Sequence, residues 1–175
     1  MRCIDKQEAM SWCVANGLAP PEHSKFFRPQ AVTLTYRIPA DSGKKTALSR
    51  AVLSLFGGEQ ECLLWITEFG VWPPCEDMFL FDVFRKFLGE SEPLQVKPGH
   101  VFSSGDLNQV ASLLGMTLYF VWGGLIASSR GGVFVEISHD EMMDVTVAGD
   151  ERPLLTARRL IEPITGPAIE AGPRT

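Results

Sequence analysis

Apolar and polar residues alternate from Ala31 to Ile38. Val32, Leu34, Tyr36 and Ile38 point one way; Thr33, Thr35 and Arg37 point the other. A period of two with β-branched residues predicts a strand with one buried face, near a sheet edge and ended by Pro39. Cys62-Leu63-Leu64-Trp65-Ile66 is instead continuously apolar, the signature of a central strand covered on both faces. Thr117 to Trp122 reads as a second apolar strand. Val133 to Ile137 reads as its hairpin partner beyond the turn Ser128-Ser129-Arg130-Gly131-Gly132. Val145-Thr146-Val147 adds a further short strand, and Leu94 to Ser103 is extended.

Helical spacing marks the remaining elements. Asp5-Lys6-Gln7-Glu8 has a capping-box spacing at the head of a first helix, which Gly17 stops. Asp41 or Ser42 caps a second helix, from Lys44 to Phe56. The segment from Glu76 to Leu88 places Phe79, Leu80, Phe81, Val83, Phe84, Phe87 and Leu88 over an arc of about 200°, twice the usual apolar stripe. Such a helix is expected to be enclosed by its own domain. Ser104 or Asp106 caps another helix through Leu114. Ser138 and Glu141 have the spacing of a capping box, predicting one more helix start.

The elements predict one α/β or α+β domain over residues 1–149: a mixed sheet of about four to six strands packed with about four helices. Four prolines fall between Pro153 and Pro173, so residues 150–175 are expected to form a largely irregular tail. Length fits one domain with a core of its own, and the composition is that of an ordinary globular chain.

Charge narrows the function classes. The net charge of −5 is unevenly spread: residues 1–50 carry +4, residues 51–149 carry −9 and the rest none. An acidic middle argues against nucleic acid, which needs clustered Lys and Arg, and suits a protein partner with a basic surface. The longest apolar run, Gly115 to Ala127, is too short to cross a membrane, and the N-terminus lacks a signal core. Cys3, Cys13, Cys62 and Cys75 form no C-x-x-C pair, which suits reduced, packed thiols in a cytoplasmic protein. No metal site or cofactor is indicated.

Two segments carry candidate chemistry. Glu68, Trp72, Glu76 and Asp77 surround the double proline Pro73-Pro74, an acid-rimmed aromatic loop suited to partner binding. Ser138-His139-Asp140-Glu141 sets a histidine beside acids. Glu68, His139, Asp140 and Glu141 are therefore the alternative, catalytic set of a small hydrolase or nuclease. Ser42-Gly43-Lys44-Lys45-Thr46 lies where a phosphate-binding loop would sit, but it lacks the leading glycine and the Lys-Thr adjacency. Gly123-Gly124 marks a bulge or close packing.

Ile66-Thr67-Glu68-Phe69-Gly70-Val71-Trp72-Pro73 and Ser138-His139-Asp140-Glu141 resemble segments of a family of small bacterial proteins of unknown function. The resemblance implies a bacterial, cytosolic origin and carries no catalytic role. The leading functional expectation is a non-catalytic binding module, such as an immunity or regulatory protein covering a basic partner. A subunit joined to a larger assembly through the Phe-rich helix is a further alternative.

Overall fold

Asp5 opens the first helix as its spacing predicts: its carboxylate accepts from the Glu8 N–H at 2.8 Å, while Glu8 accepts from the Asp5 N–H at 3.0 Å. The computed structural model describes residues 1–18, 31–69, 76–129, 132–148 and 151–170. In chain order these form β1 (Arg2–Ile4), α1 (Lys6–Ala15), β2 (Ala31–Arg37), α2 (Ser42–Ser54), β3 (Cys62–Glu68), α3 (Glu76–Phe87) and β4 (Gly99–Phe102). There follow a short 3-10 turn at Ser104–Asp106, α4 (Leu107–Tyr119), β5 (Gly123–Ser128), β6 (Val133–Ser138), β7 (Met142–Ala148), α5 (Glu151–Thr165) and β8 (Ile169–Glu170). Asp41 caps α2, its carboxylate accepting from the Lys44 N–H.

The fold is α+β, built on one eight-stranded sheet in the order β1-β4-β3-β5-β6-β7-β2-β8. Every described pairing is antiparallel. Among the described residues the class holds, while the expected mixed sheet of about four to six strands with about four helices is corrected to an antiparallel sheet of eight with five α-helices. The extra strands, β1 and β8, are only three and two residues long, too short for periodicity to show.

Register sorts the side chains into two layers. The row Leu34–Val145–Val135–Ile126–Leu64–His100 faces the main core under α2, α3, α4 and α5. The alternate row runs Thr35–Asp144–Glu136–Leu125–Trp65–Gly99–Ile4 and changes character along its length. Its apolar half is covered by α1, through Ala9, Trp12 and Cys13. Gly99 permits that approach, since a Cβ there would come within 2.6 Å of the Ile4 side chain. The polar half of the row is not part of either apolar core.

Three expectations are overturned locally. Residues 117–119 belong to α4, and the strand starts at Gly123. The apolar run hid this boundary, because apolar residues continue from the end of the helix through the turn into the strand. Ser138 to Glu141 is no helix start: Ser138 pairs with Met142, so His139, Asp140 and Glu141 are a three-residue hairpin turn. Glu141 adopts the left-handed conformation, φ 59°, that such turns require at their last position. Finally, residues 151–170 are not an irregular tail but form α5 and β8. Leu154, Ala157, Ile161 and Ile164 keep helical spacing through α5, and Ala157 and Ile161 are fully buried in the main core. Pro153 lies in the first turn, where no N–H is needed, and Pro163 near the end.

The wide apolar arc of α3 is divided. Phe81 is fully buried, whereas Phe79, Leu80, Val83 and Phe87 are exposed, Phe87 by 86%. Expected enclosure therefore holds for one side of this helix only.

Candidate functional site

The polar half of the second sheet face and the end of β3 form a hollow of about 440 Å³. Its position follows from a bulge. Thr67 and Glu68 together oppose Gly123, so the register slips after Ile66 and β3 turns Glu68 toward the β6–β7 hairpin. Gly123 and Gly124 make this possible. A Cβ on Gly123 would lie 2.6 Å from Glu68 Oε2, and one on Gly124 2.9 Å from the Trp65 carbonyl oxygen. The glycine pair thus marks the bulge that its place in an apolar strand predicts.

Glu68 meets His139 there, 71 residues away in sequence, with Oε2 2.6 Å from Nδ1. Asp140 Oδ1 lies 3.6 Å from the other ring nitrogen. The hydrogen bond from Glu68, then its charge and that of Asp140, hold the His139 pKa above its usual value. With Glu68 ionised, its carboxylate accepts from the ring at Nδ1. Ser138 Oγ accepts from the Asp140 N–H at 3.1 Å and lies 3.4 Å from Asp140 Oδ2, bracing the turn.

Glu136 and Asp144 complete the wall as direct cross-strand neighbours. Thr35 donates to Asp144 Oδ1 at 2.6 Å. Among the described residues, four carboxylates and a histidine line this hollow, and none of the described lining residues is Lys or Arg. Sequence reasoning omits Thr35, Glu136 and Asp144. The signal was present in the polar phase of each strand, but only the β6–β7–β2 pairing shows that they share a face.

Of the four residues of the catalytic alternative, Glu68, His139 and Asp140 lie together at the hollow, whereas Glu141 does not line it. Glu141 contributes its backbone carbonyl, which accepts from the Ile38 N–H at 2.8 Å. Of the expected partner-binding set, Trp72 lies outside the described residues. Glu76 and Asp77 begin α3, but their side chains lie outside the description.

The described lining of the hollow is acidic. It offers a proton donor in His139, but the neighbouring Ser138 hydroxyl is engaged by Asp140 and gains no base from the ring. Among the described residues, no group of three His, Cys, Asp or Glu is placed to hold a metal ion, and no helix is long and apolar enough to cross a membrane. Cys3, Cys13 and Cys62 are free thiols, and burial pushes Cys13 and Cys62 up to about 12, leaving them unreactive. Cys75 lies outside the described residues.

Comparison with protein-family models, with curated proteins and with solved structures returns no match. The resemblance of the two short segments rests on those residues alone.

Proposed function

We propose that the chain is a non-catalytic protein-binding module, of the immunity or regulatory kind, whose contact element is α3. The observation that carries this reading is the exposed apolar face of that helix. Phe79, Val83 and Phe87 recur at every fourth residue, beside Leu80, with exposures of 68, 47 and 86% for the three and 55% for Leu80. An isolated apolar side chain on a surface is ordinary; four along one helix face form the pattern by which a helix seats in a partner's groove. The buried side of α3 is anchored independently. Phe81 packs against Trp122 at 5.3 Å between ring centres, and Arg85 donates to the Lys97 carbonyl at 2.7 Å. The exposed side chains are therefore held in place without taking part in folding. The negative charge of residues 51–149 favours a partner with a basic rim.

Affinity capture from the native host, comparing the parent with a Phe79→Ser, Phe87→Ser double variant, tests the reading. The same basic protein should be held by the parent and lost by the variant, with folding unchanged. Equal capture by both would remove α3 from the interface. Self-association of the parent, abolished in the variant, would indicate the structural-subunit alternative.

The 2.6 Å contact between Glu68 and His139 favours a second reading, a small hydrolase that uses His139 as a proton donor. Under the binding reading, His139→Gln leaves capture intact. Hydrolysis of any ester or phosphodiester by the parent, absent in His139→Gln, would reverse the order of the two readings.

A further inference from the structure

We propose that the groove between α2 and α4 binds a small phosphate ester, holding the phosphate on Lys45 and Arg50 and the body of the ligand against Met116 and Tyr119. The inference is independent of the α3 reading, since the groove lies on the outer side of two other helices.

Lys45 is the reason. It stands in the first turns of α2, and its side chain lines a groove of about 550 Å³. Only 6% of the residue is exposed. Lysines buried to this degree are normally paired, because an ammonium loses much of its hydration there. Yet the Lys45 side chain has no hydrogen-bond or ion-pair partner among the described residues, and its ammonium keeps access to the groove rather than being sealed off. Arg50, five residues further along α2, also lines the groove and has no carboxylate partner among the described residues.

Among the described residues no Asp or Glu contributes to the lining, in a protein whose net charge is −5. The groove is therefore a positive site on an acidic molecule, the inverse of the hollow at His139. Asn108 supplies an amide from the opposite helix, and the Ser49 hydroxyl is occupied with a helix carbonyl, donating to Thr46 at 2.9 Å. A compact dianion that takes the two cationic donors satisfies both.

The α4 wall of the groove adds apolar and aromatic surface. Met116 and Tyr119 succeed one another along α4, and Tyr119 is 60% exposed. Its ring meets Phe120 edge-on, at 5.7 Å between centres. An aromatic wall beside a cationic floor fits a phosphate ester with a flat or apolar body better than a bare inorganic anion. The volume lies within the ordinary range for small-molecule sites. The sequence hints at this place through Ser42-Gly43-Lys44-Lys45-Thr46. The residues that matter come instead from the side wall of α2 and its α4 neighbour, not from a glycine-rich loop.

Titration calorimetry on the full chain at fixed ionic strength provides the test, with AMP, adenosine and inorganic phosphate as probes. AMP should bind saturably at or below about 1 mM, inorganic phosphate more weakly and adenosine not at all. Lys45→Met should weaken AMP binding about tenfold or more, as for loss of a charge-assisted contact. Tyr119→Ala should weaken AMP while leaving phosphate unchanged. Arg50→Gln, at an exposed position, keeps the test available if Lys45→Met fails to fold, and should also weaken AMP severalfold. The proposal is overturned by AMP that does not saturate, by adenosine or phosphate binding as tightly as AMP, or by folded Lys45 and Arg50 variants that bind as the parent does.

Discussion

His139 stands at a hairpin tip, yet its ring is tied to a strand 71 residues earlier. Glu68 raises its pKa, so the pairing adds stability fully below the unfolded value of about 6.5, and the contribution is lost as pH rises through the folded value. NMR titration should therefore place His139 above the ordinary histidine range, and Glu68→Gln should return it there. A second residue-scale feature is backbone strain. Val121 holds φ 56° just past α4, where the Trp122 N–H donates to the Thr117 carbonyl at 3.0 Å. This is the chain reversal in which glycine is normal, and a β-branched residue there costs about 1–2 kcal/mol. Val121→Gly should accordingly raise stability by about 1 kcal/mol, read by urea denaturation; an unchanged or lower value would show that the Val121 side chain repays its strain by packing. Neither feature is legible in the sequence. Val121 looks like one more member of an apolar strand, and Glu68 and His139 only like two separated polar residues.

At the scale of elements, α3 and α5 carry the contrast between pattern and packing. For α3 the sequence gives the span closely, but an arc of apolar residues does not reveal which of them the sheet reaches. Phe81→Ala should cost about 3–5 kcal/mol as a core truncation, whereas Phe87→Ser should stay within about 0.5 kcal/mol of the parent in denaturant melts. Comparable losses at both sites would mean that the outer face is packed after all. For α5 the helical stripe from Leu154 to Ile164 is readable, but prolines at both ends obscure it. Ile161, fully buried, should cost about 2–5 kcal/mol when replaced by Ala. The two N-terminal caps and the continuous apolar strand β3 are fully legible, because each is decided by neighbours in sequence.

The whole molecule separates its charge across the sheet. The Lys45 groove lies on the helix-covered side, and the carboxylate hollow on the opposite face, beyond the cover of α1. Sequence arithmetic detects the acidic middle but cannot sort it onto a face, since that depends on β6, β7 and β2 being neighbours. A pH dependence also belongs at this scale. His100 is wholly buried beside Arg85, and burial first, then the Arg85 charge, pushes its pKa down to about 3. The unfolded chain binds a proton there near pH 6.5, so the contribution is present above that value and lost as pH falls from about 6.5 toward 3. Stability should decline from pH 7 to 5, a window above most carboxylate titration, and His100→Leu should flatten that decline. Because His139 acts in the opposite sense, the comparison is cleanest in a His139→Gln background.

The placement of β2 beside β7 also has a kinetic consequence. The strands β5, β6 and β7 form a meander of successive hairpins, whose contacts close short loops. Joining β2 to it brings together residues such as Thr33 and Thr146, 113 apart. Closing that loop in place of a tight turn costs about 3 kcal/mol of chain entropy, and the reward comes only once the meander exists. The meander is therefore the expected nucleus, and β2 a late arrival. Destabilising substitutions such as Val135→Ala should slow refolding, whereas Leu34→Ala should chiefly accelerate unfolding in stopped-flow measurements. Until β2 docks, the outer edge of β7 stays open to any other extended chain, so the slowest pairing in the sheet sets how long the protein is vulnerable to aggregation.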